Sequence, residues 1–355
     1  MSEPTRLPNE APDGCVLDTP PLARRVFRPS NILSFLLALI VLYLVYRQLQ
    51  GFDWREVWVS VQEASLGLFA LAFAIFYCSF FFRALRWEVM LSNVGYSHAG
   101  EQPMPSLFGL VRIMYLAWFA NCVTVARLGD AYRGYLLKKE AGVSFAVTLG
   151  TVLAERLLDL IVLTAIMGAS VLVAFGDSLP TGVAQILAAG LILSAIGVFG
   201  LLAMQRFQGA FERVIPKRLR THYVRLGHGL IGSTCRLPLL VSYSVVGWLI
   251  EGTTLYVIAA AVGVPISVAG ALAIALAASL LTTVPFTPAG LGFTEVGMVV
   301  MLGWLGLDVT TASAVTLLFR LINYWSIVVL GFTLYILTKK PIKARMNLPL
   351  APGKE

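Results

Sequence analysis

Long apolar runs, broken at a few places by arginines, acids and proline–glycine clusters, set the pattern of this chain. The runs fall at about 32–49, 66–82, 107–126, 143–174, 182–204, 238–262, 264–284 and 311–338. Most approach the roughly 20 apolar residues that a helix needs to cross a hydrocarbon core about 30 Å thick. The pattern therefore predicts an all-α polytopic membrane protein with about eight transmembrane helices plus re-entrant or broken segments. Residues 1–30 are polar and proline-rich and read as a disordered tail. Residues 31–340 read as a single membrane domain and 341–355 as a second tail.

One stretch resists a continuous helix. Residues 282–297, TTVPFTPAGLGFTEVG, combine Pro285 and Pro288 with Gly290 and Gly292. The prolines remove backbone donors and the glycines permit unusual backbone angles. A break within lipid leaves polar backbone groups unpaired unless protein or a water-filled cavity encloses it. Thr294 is expected to cap a second short helix with Glu295 in its first turn, where negative charge is favoured.

Composition agrees with the pattern: 58% hydrophobic, 13% charged and a mean hydropathy of +0.80 exclude an ordinary soluble domain. Cys15, Cys78, Cys122 and Cys235 have no CxxC spacing, and His98, His222 and His228 have no ligand spacing. No disulfide framework, metal site or cofactor is expected. The net charge of +8 fits cytoplasmic loops facing anionic lipid rather than nucleic acid.

Loop charges predict orientation. Arg24, Arg25 and Arg28 precede the first run, which places the N-terminus in the cytoplasm of a plasma or inner membrane. The acidic linker 50–65 and the short loop with Asp177 read as external. Residues 205–236 hold Arg206, Arg213, Lys217, Arg218, Arg220, Arg225 and Arg236 against Glu212 and read as a cytoplasmic loop lying along headgroups. Lys339, Lys340, Lys343 and Arg345 place the C-terminus inside as well. Run 107–126 has basic flanks on both sides, with Arg83 and Arg86 before it and Arg127, Arg133, Lys138 and Lys139 after it. A re-entrant segment satisfies that parity.

Charges inside apolar runs are the candidates for function, because each costs about 2.5–3.5 kcal/mol on insertion scales. Arg83 and Arg86 share a helical face beside Trp87, which suits either an interfacial anchor or a lipid-phosphate contact at the inner leaflet. Glu155, Arg156 and Asp159 lie within run 143–174, with Arg156 and Asp159 at i, i+3. Glu251 lies in run 238–262 and Arg320 in the last run. An internal correspondence links two regions: Gly142 and Gly306 each precede an arginine, Arg156 or Arg320, by 14 residues. Asp159 and Asn323 each follow that arginine by three, and Asp130 and Glu295 precede it by 26 and 25. With opposite orientations inferred from loop charge, these read as inverted repeats, the sequence pointer to alternating-access transport.

These residues also resemble the transmembrane region of lysylphosphatidylglycerol synthases, the flippase-like domain family. The resemblance covers about 31–338 and rests on RALRW (83–87), ARLGDAYRGYLL (126–137), ERLLD (155–159), PFTPAGLGFTE (285–295) and the helix with Arg320. Family members usually carry glutamate where this chain has Asp130. The best-known members join this domain to a soluble aminoacyltransferase; nothing of that size follows residue 340, so no lysyl transfer is expected.

The resemblance implies a lipid transporter moving an anionic phospholipid or polyprenyl-phosphate-linked lipid between leaflets. Arg83, Arg86, Arg127, Asp130, Arg133, Glu155, Arg156, Asp159, Pro288, Gly290, Gly292, Thr294, Glu295, Arg320 and Asn323 would form its site. Arg156 and Arg320 would contact phosphate, helix N-termini near Asp130 and Thr294 would add donors, and Asp130 and Glu295 would hold the arginines or carry a coupling proton. The alternative is a membrane-embedded transferase acting on a lipid-linked sugar, since some archaeal relatives are associated with dolichol-linked glycosylation. The sequence has no DxD-like pair for a divalent metal. A second copy of the chain or a separate lipid-modifying enzyme is left open as a partner.

Overall fold

The computed structural model describes residues 54–98, 104–124, 127–176, 181–206, 216–283 and 287–339. The first predicted span, Arg24, Arg25, Arg28, Asp177, Arg213, Pro285 and the basic residues from Lys340 onward lie outside them. The described residues form helices α1 (Trp54–Glu63), α2 (Leu66–Asn93), α3 (Leu107–Val123), α4 (Leu128–Ala141), α5 (Phe145–Phe175), α6 (Thr181–Arg206) and α7 (Lys217–Gly232). These are followed by α8 (Leu237–Ala261), α9 (Val268–Leu281), α10 (Phe293–Trp304), α11 (Val309–Arg320) and α12 (Ser326–Lys339). Five helical segments are long and apolar enough to cross a membrane: α2, α5, α6, α8 and the continuous stretch from α11 through α12. The chain is a multi-pass integral membrane protein.

α3 and α4, 17 and 14 residues long, reach only about 25 and 21 Å. They form an antiparallel hairpin. Arg112 pairs with Glu140 across its open end at 2.6 Å, and Asn121 Oδ1 accepts the Gly129 N–H at its tip at 2.8 Å. Gly129 is required there, because a Cβ would sit 2.0 Å from the Ala117 carbonyl oxygen.

α9 and α10, 14 and 12 residues long, form a second hairpin, so the run at 264–284 is a half-length helix that turns back. Gly270, near the start of α9, abuts Leu305, just past the end of α10, and Gly297 abuts Leu281 near the tip.

The two hairpins enter from opposite ends of the molecule. The open end of the first lies with the end of α2 and the α7–α8 junction, where Asn93 donates to the Ser233 carbonyl at 2.8 Å and the Ser144 N–H to the Tyr96 hydroxyl at 3.5 Å. The open end of the second lies with the opposite end of α2, where the Ser65 N–H donates to the Ala261 carbonyl at 2.8 Å. The tips meet between them, with α3 packing on the turn Pro288–Gly290.

Elements that looked like loops prove helical. α1 falls inside the linker 50–65 and packs on α11. The basic segment contains α7, which lies against α5 through Gly229 and Gly150; a Cβ on either would meet the other helix's backbone at 2.1–2.3 Å. α2 runs on to Asn93, beyond the predicted boundary at 82, so Arg83 and Arg86 sit inside it rather than at its end.

Candidate functional site

Two helices that follow the hairpins aim arginines at the hairpin tips. Arg156 comes 11 residues after Phe145, the start of α5, and Arg320 comes 11 residues after Val309, the start of α11. That is about 16 Å along each helix, near half the thickness of a hydrocarbon core. Arg156 Nε and Nη2 donate to the two Asp130 carboxylate oxygens at 3.1 and 2.9 Å. Arg320 Nε donates to Glu295 Oε1 at 2.6 Å, while Glu295 Oε2 accepts the Gly292 N–H at 2.6 Å. Each arginine thus clamps the acid in the first turn of the returning helix of one hairpin.

Strained backbone marks both tips. Arg127 (φ 53°) and Ala289 (φ 46°) are the non-glycine residues with positive φ among those described, a conformation that persists only where surroundings enforce it. Pro288 opens the short turn at the second tip, with Gly290 (φ 69°) and Gly292 (φ 87°) after it. A Cβ on Gly290 would lie 2.6 Å from Thr294 Oγ1 and 2.9 Å from Thr282 Cα. A five-residue π-helix, Leu321–Trp325, follows Arg320; such bulges widen a helix locally and concentrate at functional sites.

Between the tips lies a cavity of about 150 Å³. Of the sequence candidates, Arg83, Arg127, Arg156, Asp159, Thr294, Arg320 and Asn323 line it. Asp130 and Glu295 stand behind their arginines, and Pro288, Gly290 and Gly292 contribute backbone shape. Arg86, Arg133 and Glu155 form a buried cluster to one side. Arg86 donates to Glu155 at 2.8 Å, to Asp159 Oδ2 at 3.0 Å and to Ser244 at 2.6 Å, and Arg133 donates to Glu155 at 2.7 Å while stacking on Trp87 at 3.6 Å. Arg86 is only 1% exposed.

Three expectations are corrected here. Arg83 and Arg86 are neither interfacial anchors nor surface contacts to lipid phosphate, because α2 buries both. Arg156 and Asp159 do not pair with each other: Arg156 turns to Asp130 and Asp159 to Arg86. Thr294 is not a cap. Gly292 occupies that position, and Thr294 is buried with its hydroxyl unpaired. Arg127 and Arg133 also belong to the interior, which leaves Lys138 and Lys139 at the open end of the first hairpin.

Sequence reasoning gave Glu251 no role at the site and overlooked the tryptophans. Arg83 donates to Glu251 Oε2 at 3.2 Å and lies between the rings of Trp118 and Trp248, at 4.9 and 5.1 Å from their centroids. Ser279 hydrogen-bonds the other Glu251 oxygen. An acid in an apolar run was the available signal for Glu251. The two tryptophans carry no periodicity that separates them from core residues.

Six arginines (83, 86, 127, 133, 156 and 320) meet five carboxylates (130, 155, 159, 251 and 295), leaving one positive charge in excess. Arg127 makes no ion pair or hydrogen bond with the described residues, and its Nε is buried without a partner. A buried guanidinium with open donors in a polar cavity suits a singly charged oxyanion. No group of three or more potential metal ligands occurs among the described residues.

This architecture defines a class: a multi-pass membrane protein with a charged cavity at mid-depth, closed by two half-length hairpins. The chain belongs to the family of the lysylphosphatidylglycerol synthase TM region, whose sequence model matches residues 31–331. A UPF0104 membrane protein of Methanocaldococcus jannaschii is 33% identical over 228 residues, 63% of this chain and 96% of that protein. A UPF0104 membrane protein of Pyrococcus horikoshii is 23% identical over 307 residues, 79% of this chain and 90% of that one. Glycosyltransferase AglD of Haloferax volcanii is 25% identical over 335 residues, 83% of this chain, which spans about half of AglD's length (51%).

Proposed function

We propose that the protein is a lipid transporter that holds an anionic headgroup between its hairpin tips while moving the lipid between leaflets. The uncompensated charge on Arg127 carries this reading, since it sits where a phosphate would meet Arg156 and Arg320. The oppositely inserted hairpins support a site reached alternately from each side. Left-handed Gly142 (φ 69°) and Gly306 (φ 91°) precede equivalent arginines, as expected of inverted repeats. On this reading the protein sits in the cell membrane with both termini and the face bearing α7 in the cytoplasm.

The test is Arg127→Gln in protein reconstituted into liposomes carrying a fluorescent anionic phospholipid. Removing an uncompensated buried charge relieves a desolvation cost, so the variant should melt no lower than wild type. Lipid movement should fall at least about tenfold, as loss of a charge-assisted contact implies. Unchanged movement would place the site elsewhere.

Similarity to a protein named as a glycosyltransferase favours a second reading, transfer to or from a lipid-linked sugar. Against it, both carboxylates lining the cavity, Asp159 and Glu251, are held by arginines and poorly disposed to act as bases. Release of nucleotide from a nucleotide sugar by the purified protein, in the presence of a polyprenyl phosphate, would favour transfer over transport.

A further inference from the structure

The cavity wall carries hydrogen-bond acceptors as well as cations. Thr124 Oγ1 lies 2.6 Å from the Ala120 carbonyl, Thr282 Oγ1 lies 2.7 Å from that of Ser279, and Thr283 Oγ1 lies 2.6 Å from that of Leu280. A carbonyl cannot donate, so each hydroxyl spends its one proton backwards and offers the cavity only lone pairs. Thr287 and Thr294, 3% and 1% exposed, line the same space with hydroxyls that have no partner, and Asn323 Oδ1 is also unpaired.

A bare phosphate is an acceptor throughout. It would satisfy the arginines while leaving these oxygens with nothing to accept from once water is displaced. An ammonium could donate to them but would enter a space already carrying excess positive charge beside Arg83, Arg127, Arg156 and Arg320. A neutral polyol next to a phosphodiester meets both demands: the phosphodiester balances the single excess charge, and the hydroxyls donate to the threonine oxygens.

Resting on the transporter reading, we infer that the cavity selects a phosphodiester bearing a neutral hydroxylated group, such as glycerol, inositol or a sugar, over amine headgroups and over a phosphomonoester. The volume of about 150 Å³ accommodates a headgroup of this kind and not acyl chains.

Native mass spectrometry of the full-length protein tests this, using phosphatidylglycerol, phosphatidylinositol, phosphatidic acid and phosphatidylethanolamine as probes at equal concentration. Phosphatidylglycerol and phosphatidylinositol should be retained at least about tenfold better than the other two, because each lacks a group the site must pair. Thr287→Val, close to isosteric, should bring phosphatidylglycerol down to the level of phosphatidic acid, whereas Thr287→Ser should keep the preference. Equal retention of phosphatidic acid, or stronger retention of phosphatidylethanolamine, by wild type would overturn the inference and leave an anionic-lipid site standing only in the first case. Retention of no phospholipid would instead overturn the transporter reading. Displacement of phosphatidylglycerol by equimolar sn-glycerol 3-phosphate would support the chemistry and assign it to a soluble phosphate ester.

Discussion

At the scale of single residues, the charges of this protein divide by what holds them. Arg86 and Arg133 share Glu155 within a cluster that excludes solvent, and removing one member would strand the others at a cost of about 3–5 kcal/mol. Arg320 stands between this structural use and a binding use, because it holds Glu295 and also borders the cavity. Comparing Arg320→Gln with the double variant Arg320→Gln, Glu295→Gln separates the two. The single variant should lose abundance and melting temperature, since it leaves Glu295 unpaired. The double variant should recover both, because a glutamine at 295 can still accept the Gly292 N–H, yet it should not bind or move anionic lipid. Recovery of lipid movement with abundance would make the pair purely structural.

At the scale of elements, the hairpins are specified by close approach rather than by apolar periodicity. α3 and α9 are too short to cross, and each ends at a tip whose backbone polar groups need enclosure. In the first hairpin the enclosure depends on Gly129, which lets the Asn121 carboxamide oxygen reach its N–H and brings α4 onto α3. Gly129→Ala would force a methyl group to within 2.0 Å of the Ala117 carbonyl, costing about 1–3 kcal/mol and displacing Asp130 from Arg156. Gly200→Ala in α6, where nothing lies within 4 Å of the added methyl group, should leave stability unchanged or slightly raised. Thermal melts of the two purified variants check the contrast. A Gly129→Ala protein as stable as Gly200→Ala would mean that the tip is not held as described.

At the scale of the whole molecule, the ends to which the chain returns set the topology. α7 and the open end of the first hairpin share one end, whereas α1, the α8–α9 connection and the open end of the second hairpin share the other. The loop charges orient the α7 end toward the cytoplasm. In a cysteine-free background, a membrane-impermeant thiol reagent added to intact cells should label Glu63→Cys and not His222→Cys, both of which are exposed positions. Permeabilised cells should label both. Labelling of position 222 from outside would invert the assignment.

The sequence by itself determined the class of protein, the ends of most crossing helices to within a few residues, and the break at 285–292. It also determined which charges lie within apolar runs. These follow from local physics: run length against bilayer thickness, proline and glycine against helix continuity, and the cost of a charge in lipid. Even the equivalence of Arg156 and Arg320 was legible, because both helices place their arginine at the same distance from a glycine turn. Only the tertiary structure decided the partners. Spacing suggested that Arg156 and Asp159 answer each other, yet both acid and base found nearer partners on other helices, Asp130 and Arg86. A charge in a low-dielectric interior is satisfied by whichever opposite charge packing brings within hydrogen-bond reach, and reach across helices has no signature in sequence separation. The same holds for Trp118 and Trp248 around Arg83, and for the threonine hydroxyls at the cavity. Their roles came into being when two hairpins, more than 100 residues apart in the chain, met tip to tip.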